Sequence, residues 1–518
     1  DSGDVKFYGK WWPLPKQNAG CYEIGSVDDL FGFAAIVNGN IGAKKDSTAC
    51  GKLVADIEFK EIGELWTDSL LVWVPMWNFA GSFDGNGFSI KNIFINNPSN
   101  YYPEDTEGAG LFGTISGGTA EKPVVIKNLT LYEGYINGGW NTGSIAGLIN
   151  ESNVILDSIT ADLYVSGYIK VGGIVGVISS STVSLTNSRK IFSNAKMIPA
   201  YYPGDEPSIE KSLYGTYNIG GLISTITNHS HVRIVNNYVK GKLLAWNCGI
   251  GAAVGIADAD TYISQFYAES DIEADSYAGG ILGSAGGDVR IENSYHIGKV
   301  SSNISNFDGA GNVRGVVVGG IVGVNESYAN IHLVNSYHMG DVTAVNGYRS
   351  IDGVIGVNHS DEVHIDNVFY PSSLYSKFPA NAADSAMFAN GSVAHNLHNY
   401  DNGSMIGAIW GQKVGVDPYP VFTSKVDGYT TDKKVSNLVL HTFEGDSNNY
   451  INHYTEGQVT SLPTVAREGQ IFHGWFTEPQ FLEDSLLFID SSASGDLELY
   501  AKLQIKKFVI STRIFVED

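Results

Sequence analysis

Residues 317–323 read VVGGIVG, and the chain repeats this pattern of glycines and aliphatic residues in eight segments. They are GAGLFG (108–113), NTGSIAG (141–147), KVGGIVG (170–176), NIGGLIS (218–224), GIGAAVG (249–255), YAGGILG (277–283), VVGGIVG (317–323) and SIDGVIG (350–356). Their spacing predicts a repeat of about 30 residues, the size of one supersecondary unit. Two intervals are longer: 48 residues from Gly176 to Ser224 and 40 residues from Gly283 to Gly323.

Each repeat continues with a second strand, in which apolar and polar residues alternate and which usually ends in Asn. The clearest examples are VVIKN (124–128), VSLTN (183–187), VRIVN (232–236), VRIEN (289–293), IHLVN (331–335) and VHIDN (363–367). Short strands without a helical stripe exclude helical solenoids. We therefore predict an all-β fold, a right-handed parallel β-helix (solenoid) over residues 79–373, in which each strand pairs with its equivalent one coil away.

The glycines and asparagines have structural roles in this prediction. Paired glycines are expected at corners, where they permit positive φ and let stacked coils approach closely. Asn tolerates a left-handed corner, and its amide can bond the same amide one coil away. The Asn column is therefore expected to form a ladder that supports the fold and binds no ligand, and Gln265 stands near where one repeat should have its Asn.

The ends of the solenoid need covering, because an open end exposes apolar side chains and strand edges. Residues 1–78 are predicted to form an N-terminal segment with a helical cap, since SVDDLFGFAAIVNG (26–39) has apolar residues at helical spacing. Residues 374–424 are the expected C-terminal cap, residues 437–503 a separate module and residues 504–518 a linker. Cys21 and Cys50 are candidates for a disulfide in the N-terminal segment, which the sequence alone leaves open.

Several of these segments resemble known families. The glycine segments resemble the GLUG-motif repeats of bacterial surface and secreted proteins, and FAGSFDGNGFSIKNIFI (79–95) resembles the opening coil of pectin-lyase-like β-helices. GWFTEP (474–479) and LELYAKL (497–503) make residues 437–503 similar to the Listeria–Bacteroides (internalin-type B) repeat, a small ubiquitin-like β-domain. The resemblances imply a secreted or cell-surface bacterial protein, in which this module is a spacer or a weak adhesion domain.

Composition and charge narrow the range of partners. The formal net charge is −23, which disfavours nucleic acid and anionic lipid surfaces as partners. No run of apolar residues is long enough to predict a membrane-spanning helix, so membrane insertion is not expected. Common enzyme signatures are absent from the sequence. We expect no cofactor and no metal, a monomeric chain, and a polysaccharide or cell-surface glycan as the partner.

Candidate ligand-binding residues lie where the repeat is enlarged, because insertions in a solenoid emerge as loops on one face. The segments 96–108, 197–217 and 305–315 all come directly before a glycine segment, and two of them share a Tyr-Tyr-Pro pattern. The predicted ligand-binding residues are Tyr101, Tyr102, Tyr201, Tyr202, Tyr214, Tyr217 and Arg314. The weaker catalytic candidates, as acid and base for glycoside cleavage, are Glu104, Asp105, Asp205 and Glu206.

A second candidate surface is a column of basic side chains on the alternating strands. Arg233, Arg290, His332 and His364 hold the same polar position in successive repeats, so they are predicted to form an outward column. One interpretation is a solvated strand face, and the other is a face that binds anions or acidic sugars.

The sequence supports three hypotheses about function. The first is an extracellular bacterial adhesin or carbohydrate-contacting solenoid without enzymatic activity, since the repeats carry no catalytic constellation. The second is a polysaccharide hydrolase or lyase of β-helix type that uses the loop carboxylates. The third is a purely structural spacer.

Overall fold

A computed structural model describes residues 12–40, 44–59, 72–96, 108–191, 213–215, 218–245, 249–303, 316–345, 349–400, 409–422, 435–442 and 451–506. The chain divides into two compact units, Asp1–Ala382 and Ala383–Asp518. The first unit contains the repeats, and its described residues form an all-β arrangement of stacked parallel sheets, the architecture of a β-helix-like solenoid. The finer domain boundaries given above remain predictions.

Two of the sheets are made by the glycine segments. In the described residues, a parallel sheet of seven strands contains Asn141–Thr142, Lys170–Gly172, Asn218–Gly220, Ile250–Gly251, Tyr277–Gly279, Val316–Gly319 and Arg349–Asp352. A parallel sheet of eight strands contains Phe112–Ile115, Ala146–Asn150, Val175–Ser179, Ile223–Thr227, Val254–Ala257, Leu282–Ala285, Val322–Asn325 and Ile355–Asn358. Seven of the eight glycine segments therefore contribute strands to both sheets across a corner, and the prediction that each glycine segment forms one strand was wrong.

The remaining strands of the solenoid belong to one large sheet. It begins with Gln17–Asn18, Cys21–Ile24, Cys50–Leu53, Ile57–Glu58, Ser82–Asp84, Ser89–Lys91, Phe94–Asn96, Val124–Asn137 and Asn153–Gly167. It continues with Thr182–Thr186, Arg189–Ile191, Leu213–Gly215, His231–Lys240, Leu243–Ala245, Asp260–Glu269, Ile272–Ala274, Asp288–Glu292, Tyr295–Ile297 and Val300–Asn303. The last described strands are Asn330–Val334, Tyr337–Met339, Val342–Val345, Val363–Asp366, Phe369–Pro371 and Asn381–Ala383.

The register of the sheets confirms the repeat alignment made from the sequence. Val175 pairs with Ile223 across the first enlarged interval, and Leu282 pairs with Val322 across the second. The extra residues of both intervals therefore leave the stacking of the coils intact. Leu213–Gly215, within the predicted insertion 197–217, is a strand in register with its neighbours Val165–Gly167 and Leu243–Ala245.

The corner glycines are required by close packing. A Cβ atom on Gly172 would lie 1.8 Å from the carbonyl oxygen of Val175, and one on Gly319 would lie 1.8 Å from that of Val322. Neither glycine adopts the left-handed φ that we expected at these corners. The expected close approach of the coils is confirmed, and the expected positive φ is wrong at these two glycines.

Left-handed backbone instead occurs along the Asn column. The φ angles of Asn128, Asn187, Asn236, Asn293, Asn335 and Asn367 lie between 47° and 58°. Asn335 donates its amide to Asn293 Oδ1 at 2.7 Å and accepts the amide of Asn367 at 2.7 Å. Gln265 has a φ of 50° and so occupies the same kind of corner. The predicted ladder of bonded amides is confirmed for Asn293, Asn335 and Asn367 and for the pair Asn187 and Asn236, whereas Asn128 donates its amide to Asp84.

The core of the solenoid is lined by the apolar positions of the alternating strands. Val289 and Ile291 have 1% and 0% of their surface exposed, while Arg290 between them points outward. Burying such an aliphatic side chain contributes about 1.5–3 kcal/mol, and the same positions recur in each coil. The sequence alternation thus sets which face of each strand packs inside.

The N-terminal residues add a helix and a covalent link. The helix Val27–Asn38 begins at Ser26, whose hydroxyl accepts from the Asp29 backbone N–H, and ends at Gly39 with a φ of 74°. Cys21 and Cys50 pair in adjacent parallel strands and form a disulfide. The predicted helix is confirmed, and the pairing that the sequence left open is present.

The second unit combines short helices with a small β-module. Its helices are Ser385–Ala389 and Ser392–His398, followed by the hairpin Trp410–Gly411 and Val421–Phe422. A four-stranded sheet has the order His453–Thr455, Val435–His441, Leu497–Ile505, Gln470–Phe476, and Thr460–Ser461 pairs with Phe488–Ile489. Trp475 and Tyr454, both 0% exposed, lie in the core of this module.

Candidate functional site

The loop residues predicted to bind ligand lie almost entirely outside the described residues. This holds for the tyrosines and the arginine, Tyr101, Tyr102, Tyr201, Tyr202, Tyr217 and Arg314, and for the carboxylates Glu104, Asp105, Asp205 and Glu206. The backbone of Tyr214 is described, within the strand Leu213–Gly215. These residues therefore remain predictions, and the site described below is formed by other residues.

The predicted basic column is formed in register. Arg233 pairs with Tyr262, and Tyr262 pairs with Arg290. The column continues through His332 to His364. Each partner lies one coil further along, so neighbouring side chains are about 4.8 Å apart at the backbone. The predicted alignment of these four basic residues is confirmed. Tyr262 occupies the same position on the coil between Arg233 and Arg290.

Arg233 and Tyr262 make direct contact. The guanidinium carbon of Arg233 lies 4.4 Å from the centre of the Tyr262 ring, a cation–π geometry. In the part of the chain that the structure describes, no carboxylate pairs with Arg233. The contact orients the guanidinium while leaving its hydrogen-bond donors available to a ligand.

These two residues line a groove on the strand face of about 470 Å³. Ile155, Ser184, Arg233 and Tyr262 form one row, in register on four successive coils. The complete lining is Ala120, Pro123, Asn153, Val154, Ile155, Thr182, Val183, Ser184, His231, Val232, Arg233, Asp260 and Tyr262. A groove of this volume is in the range of small-ligand sites, and it combines apolar walls with a few polar groups.

A second row of groove residues supplies hydrogen-bonding groups. Asn153, Thr182 and His231 are in register on adjacent coils, and His231 is followed by Asp260. His231 Nδ1 lies 2.9 Å from Asp260 Oδ2, and both side chains are mostly exposed. This row therefore offers amide, hydroxyl, imidazole and carboxylate groups to one ligand.

Tyr262 is held in place by the ion pair between Glu292 and Arg290. Its hydroxyl hydrogen-bonds to Glu292, whose other carboxylate oxygen accepts from Arg290 Nε at 2.8 Å. Burial raises the pKa of Tyr262, and the hydrogen bond to Glu292 raises it further. Tyr262 is thus a neutral donor whose hydroxyl is fixed in place by Glu292.

Beyond Arg290 the column ends in two histidines. The rings of His332 and His364 lie 5.3 Å apart, centre to centre. Burial lowers the pKa of His332, and the neighbouring charges of His364 and Arg290 lower it further. At neutral pH the His332 side chain is therefore largely uncharged, and Arg233 and Arg290 are the residues of the column whose guanidinium groups are always charged.

Tyr262 was missed because the repeat was aligned by its Asn. The segment DTYISQ (260–265) matches HVRIVN (231–236) residue by residue once Gln265 is placed on Asn236, and this puts Tyr262 in the basic column. The sequence therefore contained the signal. The contribution of Ala120 and Pro123 to the groove wall had no such signal, since they lie outside the repeated strands.

Other kinds of site have little support in the described residues. No group of three or more His, Cys, Asp and Glu side chains is placed to hold a metal ion among them. Within the same residues, no helix has the length and apolarity needed to cross a membrane.

Comparison with known proteins identifies the C-terminal module. Residues 441–502 match the sequence model of the Listeria-Bacteroides repeat domain, which confirms the predicted resemblance for this module. Such repeats are typical of bacterial surface proteins. No curated protein sequence is significantly similar to the chain.

Two solved structures resemble the chain at a low level. One is a candidate immunoglobulin A1 protease from Bacteroides ovatus, with 16% identity and a TM-score of 0.36 over 78% of this chain and 92% of that one. Another is described as IgA1 protease, with 17% identity and a TM-score of 0.36 over 67% of this chain and 21% of that one. Similarities this low carry no argument about activity.

Proposed function

We propose that the chain is part of a secreted or cell-surface bacterial adhesin and that the groove around Arg233 and Tyr262 binds glycans without cleaving them. The surface assignment is supported by the Listeria-Bacteroides repeat domain at residues 441–502. The glycan assignment rests on one observation, the row of aligned apolar, hydroxyl, cationic and aromatic side chains along the groove. A linear ligand lying along the solenoid would meet a new side chain at each coil.

The chemistry of the groove matches that of a sugar chain. Sugar rings present apolar C–H faces and a rim of hydroxyls. Ile155, which is 37% exposed, and the ring of Tyr262 provide apolar surface. Thr182, Ser184 and Asp260 provide hydroxyl and carboxylate partners in the same groove. The site is shallow, which suits contact with an internal stretch of a long polymer.

Arg233 favours a glycan that carries carboxylate groups. A guanidinium binds a carboxylate through two parallel hydrogen bonds, and its contact with Tyr262 leaves its donors available. The chain as a whole has a net charge of −23, which opposes densely charged polymers. Sparse carboxylates, separated by neutral sugars, fit both features.

The same proposal includes the finer architecture. We infer that the solenoid is right-handed and built from GLUG-type repeats, and that the helix Val27–Asn38 caps its first coil. The apolar residues of this helix, including Leu30 and Phe33, pack in the same core cluster as the first coils, which supports this role. We also infer that the C-terminal module has a ubiquitin-like fold and acts as a spacer.

A glycan array probed with the full chain tests the proposal. The array should pair acidic glycans with their neutral counterparts: sialylated with desialylated, and uronate-containing with carboxyl-reduced. We expect binding to a subset of glycans, stronger for the acidic member of a pair, and unchanged glycan masses after incubation. Binding to none of the glycans would contradict the proposed function. Release of shorter products would replace it with the hydrolase or lyase alternative.

A further inference from the structure

An interior column of the solenoid contains basic residues. The register places Lys190, Val239, Ala268, His296 and His338 at one position of successive coils. Lys190, His296 and His338 are each 0% exposed. His296 and His338 pack against corner glycines, since Cβ atoms on Gly280 and Gly320 would lie 2.8 Å and 2.7 Å from their rings. The same position holds aliphatic residues in the two coils between, so the fold itself does not require basic residues there.

The two histidines are stacked and linked through their ring nitrogens. Their rings lie 5.2 Å apart at an angle of 9°, and His296 Nδ1 is 3.1 Å from His338 Nδ1. On the outer side of the pair, His296 Nε2 is 2.8 Å from the carbonyl oxygen of Ser270 and 3.4 Å from its hydroxyl oxygen. His338 Nε2 is 3.2 Å from the carbonyl oxygen of Gly340.

The contact between the rings and the two carbonyl contacts together require more protons than two neutral histidines carry. The Ser270 hydroxyl can donate or accept, so it does not change this count. A carbonyl oxygen only accepts, so each Nε2 contact needs a proton on the nitrogen. The contact between the two Nδ1 atoms needs a proton as well. Two neutral imidazoles supply two protons for three contacts, so one contact must be without its proton unless the pair is charged.

We infer that His296 and His338 share a proton between their Nδ1 atoms at neutral pH and form the acid-sensitive element of the solenoid. His296 bears its proton on Nε2, where the contact to Ser270 is the shorter of the two carbonyl contacts. His338 bears its proton on Nδ1 and donates it to His296. The contact from His338 Nε2 to Gly340 is the one without a proton, so a third proton would bind at this nitrogen.

The surroundings oppose the uptake of that third proton without excluding it. Burial lowers the pKa of His296 to about 4, while the charge of Asp271 acts in the opposite direction. Burial and the neighbouring His296 lower the pKa of His338 well below its ordinary value. Among the described residues, these are the titratable and charged groups that act on the pair. A fourth proton would place two N–H groups against each other and break the Nδ1 contact.

Acid therefore weakens the coils that carry the pair. Both histidines bind protons more readily in the unfolded chain, with an ordinary pKa of 6.5, than inside the solenoid. Their contribution to stability is thus complete above about pH 6.5 and is lost as the pH falls towards the folded pKa. The strands Tyr295–Ile297 and Tyr337–Met339 should open first.

Nitrogen NMR of the full chain, selectively labelled with 15N-histidine, tests the proton assignment directly. At pH 7.5 we expect an Nε2–H tautomer for His296 and an Nδ1–H tautomer for His338. We also expect a scalar coupling across the hydrogen bond between the two Nδ1 atoms, or nitrogen chemical shifts that change together. Resonances are assigned by single substitution of each histidine. Finding Nε2–H tautomers in both rings, with no link between the Nδ1 atoms, would overturn the inference.

Hydrogen exchange followed by mass spectrometry tests the acid sensitivity. After correction for the pH dependence of the intrinsic amide exchange rate, we expect the protection factors of the two strands to fall at least tenfold between pH 7 and pH 5. The double variant His296→Val plus His338→Val, which copies Val239 of the same column, should lose this dependence. An equal loss of protection in the double variant, or no loss in the wild type, would refute the acid-sensitive role. If the variant does not fold, the wild-type exchange and NMR data still decide the matter.

Discussion

The guanidinium of Arg233 lies over the ring of Tyr262, 4.4 Å from its centre, although the two residues belong to different coils. Parallel pairing brings them together, because Arg233 and Tyr262 hold the same register position of adjacent strands. The stacking of repeats therefore turns single residues of each repeat into a continuous surface. The predictions below concern first the scaffold that produces this stacking and then the surface itself.

The Asn ladder should contribute measurably to stability. Asn335→Gly keeps the left-handed corner accessible but removes hydrogen bonds to Asn293 and Asn367, at a cost of about 1–3 kcal/mol. Asn335→Ala should cost about 1 kcal/mol more, because alanine is strained at a φ of 48°. Urea unfolding of the first unit measures both. Asn330→Ala, on the same coil but outside the ladder, is the control and should change stability little.

Replacing a corner glycine should disrupt the stacking of coils. In Gly319→Ala the new Cβ atom would lie 1.8 Å from the carbonyl oxygen of Val322, which is backbone and cannot move alone. We expect a loss of about 3 kcal/mol or more, or failure to fold. Gly25→Ala is the matched control, since its Cβ would meet the side chain of Val54 at 3.1 Å. Thermal melts that coincide for the two variants would contradict this account of the corner.

The disulfide should stabilise the first coils. Cys21 and Cys50 close a loop of 29 residues, for which the chain-entropy relation gives about 3–4 kcal/mol. The variant Cys21→Ser plus Cys50→Ser should lower the free energy of unfolding by up to that amount. A reducing agent should have the same effect on the wild type and none on the variant. Hydrogen exchange should locate the change in Cys21–Ile24 and Cys50–Leu53, and an effect spread evenly over the solenoid would be unexpected.

The second unit should become less stable in mild acid. Burial and the neighbouring His395 lower the pKa of His453 from 6.5 to about 4. His453 stays neutral in the folded unit while the unfolded chain takes up a proton, so stability is complete above about pH 6.5 and falls as the pH drops towards 4. The loss should be about 1–3 kcal/mol. Melting at pH 7 and pH 5 measures it.

The matched variants for this pH effect are in the same module. His453→Gln should reduce the pH dependence of melting, because glutamine does not titrate. His473→Gln, at an exposed position, should leave the pH dependence as it is in the wild type. Equal pH dependence in all three proteins would show that another group controls the acid response of this unit.

The scaffold could be predicted from the sequence because its signals recur. The spacing of the glycine segments gave the coil register, and the Asn residues marked the left-handed corners at positions such as Asn293 and Asn335. A recurring residue type reports a recurring backbone geometry. The prediction of a positive φ at Gly172 was wrong because a glycine is found both where φ is positive and where backbones pack closely. The sequence pattern alone does not distinguish these two cases.

The candidate site was less predictable because it depends on differences between repeats. The basic column was found, since Arg233 and Arg290 share a motif, but the neighbour that matters for Arg233 is Tyr262 from a divergent repeat. The interior pair His296 and His338 was not predicted, because both residues follow the left-handed corners at Asn293 and Asn335, after which inward and outward positions no longer simply alternate. Which side chains touch across coils also depends on their rotamers, which the repeat pattern does not determine.

Binding in the groove is tested most directly by isothermal titration with the best glycan from the array. The full chain is compared with the double variant Arg233→Gln plus Tyr262→Ala, and with Tyr328→Ala, which removes a tyrosine that is 76% exposed outside the groove. We expect the double variant to bind at least tenfold more weakly and Tyr328→Ala to bind as the wild type does. Unchanged affinity in the double variant, with the fold intact by circular dichroism, would contradict the assignment of the groove as the glycan site.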